Sequence, residues 1–115
     1  MLRDLKVFQK TYDMFLYLHQ VLKKFPKSER FTLAQRIENT TLNILQAIIQ
    51  ANHESNKSDA LKQSSVELEK LRILIRLSKE LKFISIQEYE NLSQFTTEIG
   101  KMIGSWIKTE KQQIT

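Results

Sequence analysis

Almost nothing in this chain interrupts a helix: two glycines and one proline serve 115 residues, and the glycines, Gly100 and Gly104, lie four apart. A fold rich in tight β-turns needs many positions with positive or preset φ, and glycine and proline normally supply them. Their scarcity points to a few long helices joined by short loops. Hydrophobic residues make up 41% of the chain, enough for one continuous core. The length suits one domain over residues 1–115.

Apolar periodicity marks four helices, at about 4–24, 28–52, 59–82 and 86–110. In the first, Phe8, Phe15, Leu18, Leu22 and Phe25 share a face, widened by Val7, Met14 and Val21. Pro26 disfavours helical dihedrals at Phe25 and ends the segment. The second starts near Ser28 as N-cap, with the seam Leu33, Ile37, Thr41, Ile44, Ile48 and Ala51. The third follows Asn56 or Ser58 as cap. Its rows are Leu61, Leu68 and Ile75 beside Ser64, Leu71 and Ser78, with Leu74 and Leu81 alongside. The fourth opens on Ser85-Ile86-Gln87-Glu88, a capping box flanked by the staple pair Ile84 and Tyr89. Its seam of Tyr89, Leu92, Thr96, Ile99, Ile103 and Trp106 alternates steps of three and four, a heptad pattern. Short loops make neighbours antiparallel, so the expected fold is all-α, an up-down-up-down four-helix bundle.

Several function classes are excluded or unsupported. The absence of cysteine rules out disulfides and thiolate-ligated metals. No signal peptide is visible, and no apolar run approaches the roughly 20 residues needed to span a bilayer. A cytoplasmic protein without a membrane partner is expected. Nucleophilic catalysis lacks a glycine-rich serine elbow, and the two histidines, His19 and His53, read as solvated or satisfied groups. A di-iron bundle needs Glu-x-x-His on two helices, and no such motif occurs. There is no phosphate-cradling glycine loop. The reading is a binding protein, not an enzyme, with no catalytic residues, metal or cofactor. Two glycines inside a helix cost about 1 kcal/mol each, a cost most simply offset by close approach of another helix or subunit.

The basic residues are the remaining candidates. Net charge is +5. Arg72, Arg76 and Lys79 fall at i, i+4 and i+7 on one face of the third helix. Lys23, Lys24, Lys27 and Arg30 gather at the corner between the first two helices. Both clusters fit a solvated surface with intrahelical ion pairs such as Arg76–Glu80, and both fit a polyanion site. No exposed aromatics are interleaved with them in this reading, so contact to a phosphate backbone, weakening steeply with salt, is expected in place of base stacking.

Three stretches also carry a resemblance. The corner reads Phe25-Pro26-Lys27-Ser28-Glu29-Arg30-Phe31-Thr32-Leu33-Ala34-Gln35-Arg36-Ile37-Glu38. The third helix reads Leu68-Glu69-Lys70-Leu71-Arg72-Ile73-Leu74-Ile75-Arg76-Leu77. The fourth ends Ile99-Gly100-Lys101-Met102-Ile103-Gly104-Ser105-Trp106-Ile107-Lys108. Together they resemble the accessory variability determinant (Avd) proteins of diversity-generating retroelements, whose broader relatives are four-helix bundle proteins encoded in 23S ribosomal RNA intervening sequences. The resemblance implies a non-enzymatic homopentamer that binds the retroelement's reverse transcriptase and its template RNA, with DNA as a further polyanion, in support of mutagenic cDNA synthesis. It makes Arg72, Arg76 and Lys79 the first choice for that contact and Lys23, Lys24, Lys27 and Arg30 the second. The alternatives are the ribosomal-insert type, of unknown role, and a protein–protein scaffold without nucleic-acid binding. Tyr12, Tyr17, Phe31 and Phe95 stand off the seams and suit a subunit interface.

Overall fold

The computed structural model describes the backbone of residues 2–114 and the side chains of residues 5–112. Four helices form: α1 (Leu2–Leu22), α2 (Leu33–His53), α3 (Ser58–Glu80) and α4 (Ile86–Ile114). No strand occurs among the described residues. α1 packs on α2 and α4, and α3 packs on the same two, so α1 and α3 lie diagonally apart. The result is the antiparallel bundle the periodicity predicts, a rod of 49 × 24 × 19 Å.

The seams of α2, α3 and α4 fall where the spacing places them, except that Leu33, Leu74 and Tyr89 are half-buried and Leu81 is exposed. In α1 the buried row is Val7, Thr11, Met14, Leu18, Val21 and Phe25. Phe8, Phe15 and Leu22, expected at the centre, flank it half-buried. The slimmer Val7, Thr11 and Val21 share the axis, where helices approach within about 8–10 Å, and Phe8 and Phe15 spread over the shoulder. The buried hydroxyls of the seams are satisfied within their own helices. Thr11 donates to the Val7 carbonyl at 2.8 Å, Thr41 to Ile37 at 2.9 Å and Ser78 to Leu74 at 2.8 Å. A small polar residue therefore fits a heptad seam without an orphaned group.

The helix ends differ from the sequence expectation in instructive ways. α1 stops at Leu22, and Lys24 and Phe25 turn back onto the carbonyls of Val21 and Leu22. Ser28 caps nothing: Lys27–Glu29 form one 3-10 turn, and α2 begins only at Leu33. Thr32, at its N-cap position, gives its hydroxyl to Glu29 at 3.1 Å instead. Asn56 accepts the Ser58 amide at 3.1 Å at the start of α3. Lys57 donates to the Ala51 and Glu54 carbonyls at 2.6 and 3.0 Å, closing the end of α2. α3 ends at Glu80 because Lys82 takes φ 66, and the amides of Lys82 and Phe83 bond to Lys79 and Ser78. That is a Schellman closure with lysine where glycine is favoured. The α4 capping box forms as read: Glu88 N donates to Ser85 Oγ at 3.0 Å, and Ser85 N to Glu88 Oε1 at 2.9 Å.

Candidate nucleic-acid interface

The third-helix stripe is already engaged. Arg72 is only half-exposed and crosses to α4, where Nη2 donates to the Thr96 carbonyl at 3.0 Å. Its Nη1 stands 3.6 Å from Glu69, and its buried Nε has no hydrogen-bond partner. A Cβ on Gly100 would lie 2.6 Å from Nη2, so glycine there makes room for the guanidinium. Gly104 has nothing within 4 Å of where its Cβ would be. Of the two glycines, close packing within the chain explains the first alone. Arg76 pairs with Glu80 at 3.3 Å. Lys79 sits over the Tyr89 ring, 4.5 Å from its centroid. The three cations do lie along one side of α3, but two face carboxylates and the third faces a ring.

The α1–α2 corner is arranged differently. Lys24 is bound to Glu88, fastening the corner to the start of α4. Burial works to raise the Glu88 carboxyl, but hydrogen bonds from Lys24 and Ser85 and the lysine charge outweigh it and hold it below its ordinary range. Lys23, Lys27 and Arg30 are exposed and have no ion pair or hydrogen bond from their side chains among the described residues. They border a cleft of about 550 Å³ between the end of α1 and the start of α2. Phe25 and Pro26 contribute to its lining, and His19 and Glu38, 3.2 Å apart, bridge the two helices at its side. Phe31, 75% exposed, also lines it.

The resemblance ranked the stripe first, and its helical spacing placed the three cations on one side. A second signal was available. Arg72 and Arg76 have a glutamate three or four residues away, whereas Lys23, Lys27 and Arg30 have none at those distances. Phe31 stands off the seams, as read, but it was placed inside a continuous second helix, so its position beside the corner cations was not foreseen.

Away from the cations, two apolar faces look outward. On α1, Leu5, Tyr12 and Leu16 form an exposed row that runs on to His19; on α2, Leu42 and Ile49 continue from Glu38. The His19–Glu38 pair bridges the two helices between these rows. On α3, Val66, Ile73 and Leu77 form a second exposed row. Among the described residues no group of three or more His, Asp or Glu is placed to hold a metal, and no helix is long and apolar enough to cross a membrane.

A family model described as bAvd-like matches residues 5–110. The chain is also similar to a solved structure, a protein of unknown function from the S23 ribosomal protein family of Bacteroides thetaiotaomicron. The two superpose with a TM-score of 0.84 at 20% identity, covering 92% of this chain and 98% of that one, a likeness of fold. No curated protein matches significantly.

Proposed function

The chain belongs to the bAvd-like family, and from that premise we propose that it is a non-enzymatic accessory protein of a diversity-generating retroelement, binding the reverse transcriptase and its template RNA. The observation that carries the RNA part is the set of three cations at the α1–α2 corner with no counterion, Lys23, Lys27 and Arg30. Releasing condensed counterions from a polyanion favours such cations, while one already paired must first give up its partner. The corner therefore makes the main RNA contact. Arg72, Arg76 and Lys79 play a smaller part in it, with Arg72 committed to holding α3 on α4.

The same reading includes assembly of copies in the cytoplasm. Two unlike apolar faces, one on α1–α2 and one on α3, suit a head-to-tail contact, which closes into a ring when the rotation allows. A homopentamer is the proposed form. The open space at Gly104 on α4 fits close approach by a second subunit.

Three experiments test the reading. The purified chain should co-purify with the retroelement's reverse transcriptase, and light scattering should give a mass near five copies. Titration with single-stranded RNA at two salt concentrations should show affinity falling steeply as salt rises. No association with the enzyme and no RNA binding at low salt would leave a scaffold or an S23-type bundle as the better account.

A further inference from the structure

The corner cleft combines three features. It is concave, about 550 Å³ in volume. Its rim carries the unpaired Lys23, Lys27 and Arg30. A phenyl ring, Phe31, stands 75% exposed within its lining. An exposed phenylalanine loses apolar burial and so needs a reason. The core does not supply it, since α2 begins two residues later and its buried row starts at Ala34.

We propose that this cleft is a nucleotide-binding pocket for single-stranded RNA, in which one base stacks on Phe31 while the flanking phosphates meet Lys23, Lys27 and Arg30. The inference rests on the RNA-binding reading above and gives it a location and a mode. Stacking needs an aromatic face with open space before it, and charge neutralisation needs cations with no competing carboxylate. The corner provides both within one stretch of nine residues, 23–31. An acidic peptide would use the same cations but gains little from a flat ring. A duplex would reach the cations but offers no unstacked base to the ring. Single-stranded RNA uses every element. The carboxylate of Glu38 lies 3.2 Å from His19 on one wall.

The pocket is built on the 3-10 turn Lys27–Glu29 and on the Lys24–Glu88 contact. Lys24 therefore acts as a positioning residue. It holds the corner against α4 while its neighbours face the solvent.

The test uses the full chain and a single-stranded RNA containing 5-iodouracil, with photo-crosslinks mapped by peptide mass spectrometry. The crosslink is expected on Phe31. Phe31→Ala should weaken single-strand affinity roughly tenfold, Phe31→Trp should keep it, and duplex affinity should change little in either. Replacing Lys23, Lys27 and Arg30 by glutamine should lower the salt slope for single strands by about 2. All four positions are exposed, so an unchanged melting temperature separates lost binding from lost folding.

Each contrary outcome overturns the pocket in its own way. Crosslinks on α3 or α4 with affinity unmoved by Phe31→Ala put the RNA elsewhere and leave the RNA-binding reading standing. Unchanged RNA affinity with lost capture of the reverse transcriptase makes the cleft a protein site. A fall in oligomer mass on Phe31→Ala, with crosslinks elsewhere, makes the ring a subunit contact. A chain that binds no RNA at low salt removes the pocket and the RNA-binding reading together.

Discussion

The two basic clusters of this bundle are matched in charge and opposite in condition. On α3, Arg72, Arg76 and Lys79 sit one helical turn apart, and each is already occupied by a carbonyl, a carboxylate or a ring. At the α1–α2 corner, Lys23, Lys27 and Arg30 lie on irregular backbone and a single 3-10 turn and face no counterion. Regular periodicity brings cations together, but on a helix it also brings carboxylates within reach. The irregular corner lacks that second effect. A surface cation is available to a ligand in proportion to what it gives up on binding, and the corner gives up only water.

The contrast can be broken most sharply on RNA affinity. Neutralising Lys23, Lys27 and Arg30 together should weaken single-strand binding by roughly tenfold to a hundredfold near physiological salt. Neutralising Arg76 and Lys79 should change it by less than about threefold. Filter binding or anisotropy at fixed salt measures both, and the reverse order would show the stripe to be the interface.

Stability should show the opposite ranking. Arg72→Ala removes a charged hydrogen bond between helices and should destabilise the fold by about 2 kcal/mol. Arg30→Ala should stay within about 0.5 kcal/mol of the parent. Denaturant melts of the two variants make the comparison directly.

The glycines sharpen it further. Gly104→Ala, in open space, should stabilise the isolated chain by about 1 kcal/mol through helix propensity alone. Gly100→Ala should yield no such gain, because the new Cβ displaces Arg72. In an Arg72→Ala background the same change should recover about 1 kcal/mol. A gain for Gly100→Ala in the parent chain would show that Arg72 moves aside freely.

The smallest effect concerns acid. Glu67 is buried, which works to raise its carboxyl, but hydrogen bonds from Lys70 and Asn43 and the lysine charge hold it below its ordinary 4.5. A depressed folded pKa means that this group's contribution is complete above 4.5 and is lost as pH falls through the lower folded value. Melting temperature should therefore be flat in this respect from pH 7 to about 5. Its decline below that should be shallower in Glu67→Gln. Lys24 acts in the same window through Glu88, whose carboxyl it helps to hold below its ordinary range.

Much of the fold was legible because heptad spacing, Ser64, Ser78 and Thr41 included, leaves little choice about which face turns inward. The capping box at Ser85 and Glu88 was legible for the same local reason. What escaped was set by tertiary packing. The α1 seam turned toward Val7 and Thr11, which left Phe8 and Phe15 half-buried at its side. The start of α2 moved from Ser28 to Leu33 because the chain spends five residues turning the corner. In the candidate site, spacing identified which cations share a side. It gave no sign that Arg72 reaches Thr96 and Gly100, residues more than twenty positions away, nor that Phe31 lies outside the helix.

The two apolar faces on different helices have a further consequence. In the proposed head-to-tail assembly a subunit with unlike front and back does not satisfy both by pairing with one copy, so a head-to-tail dimer leaves one of each uncovered. In that proposed assembly growth stops only when the last back meets the first front, and the copy number at that point is fixed by the angle between the faces around the rod. A substitution that alters how α1 leans on α3's neighbours could then change the size of the assembly while leaving every contacting side chain in place.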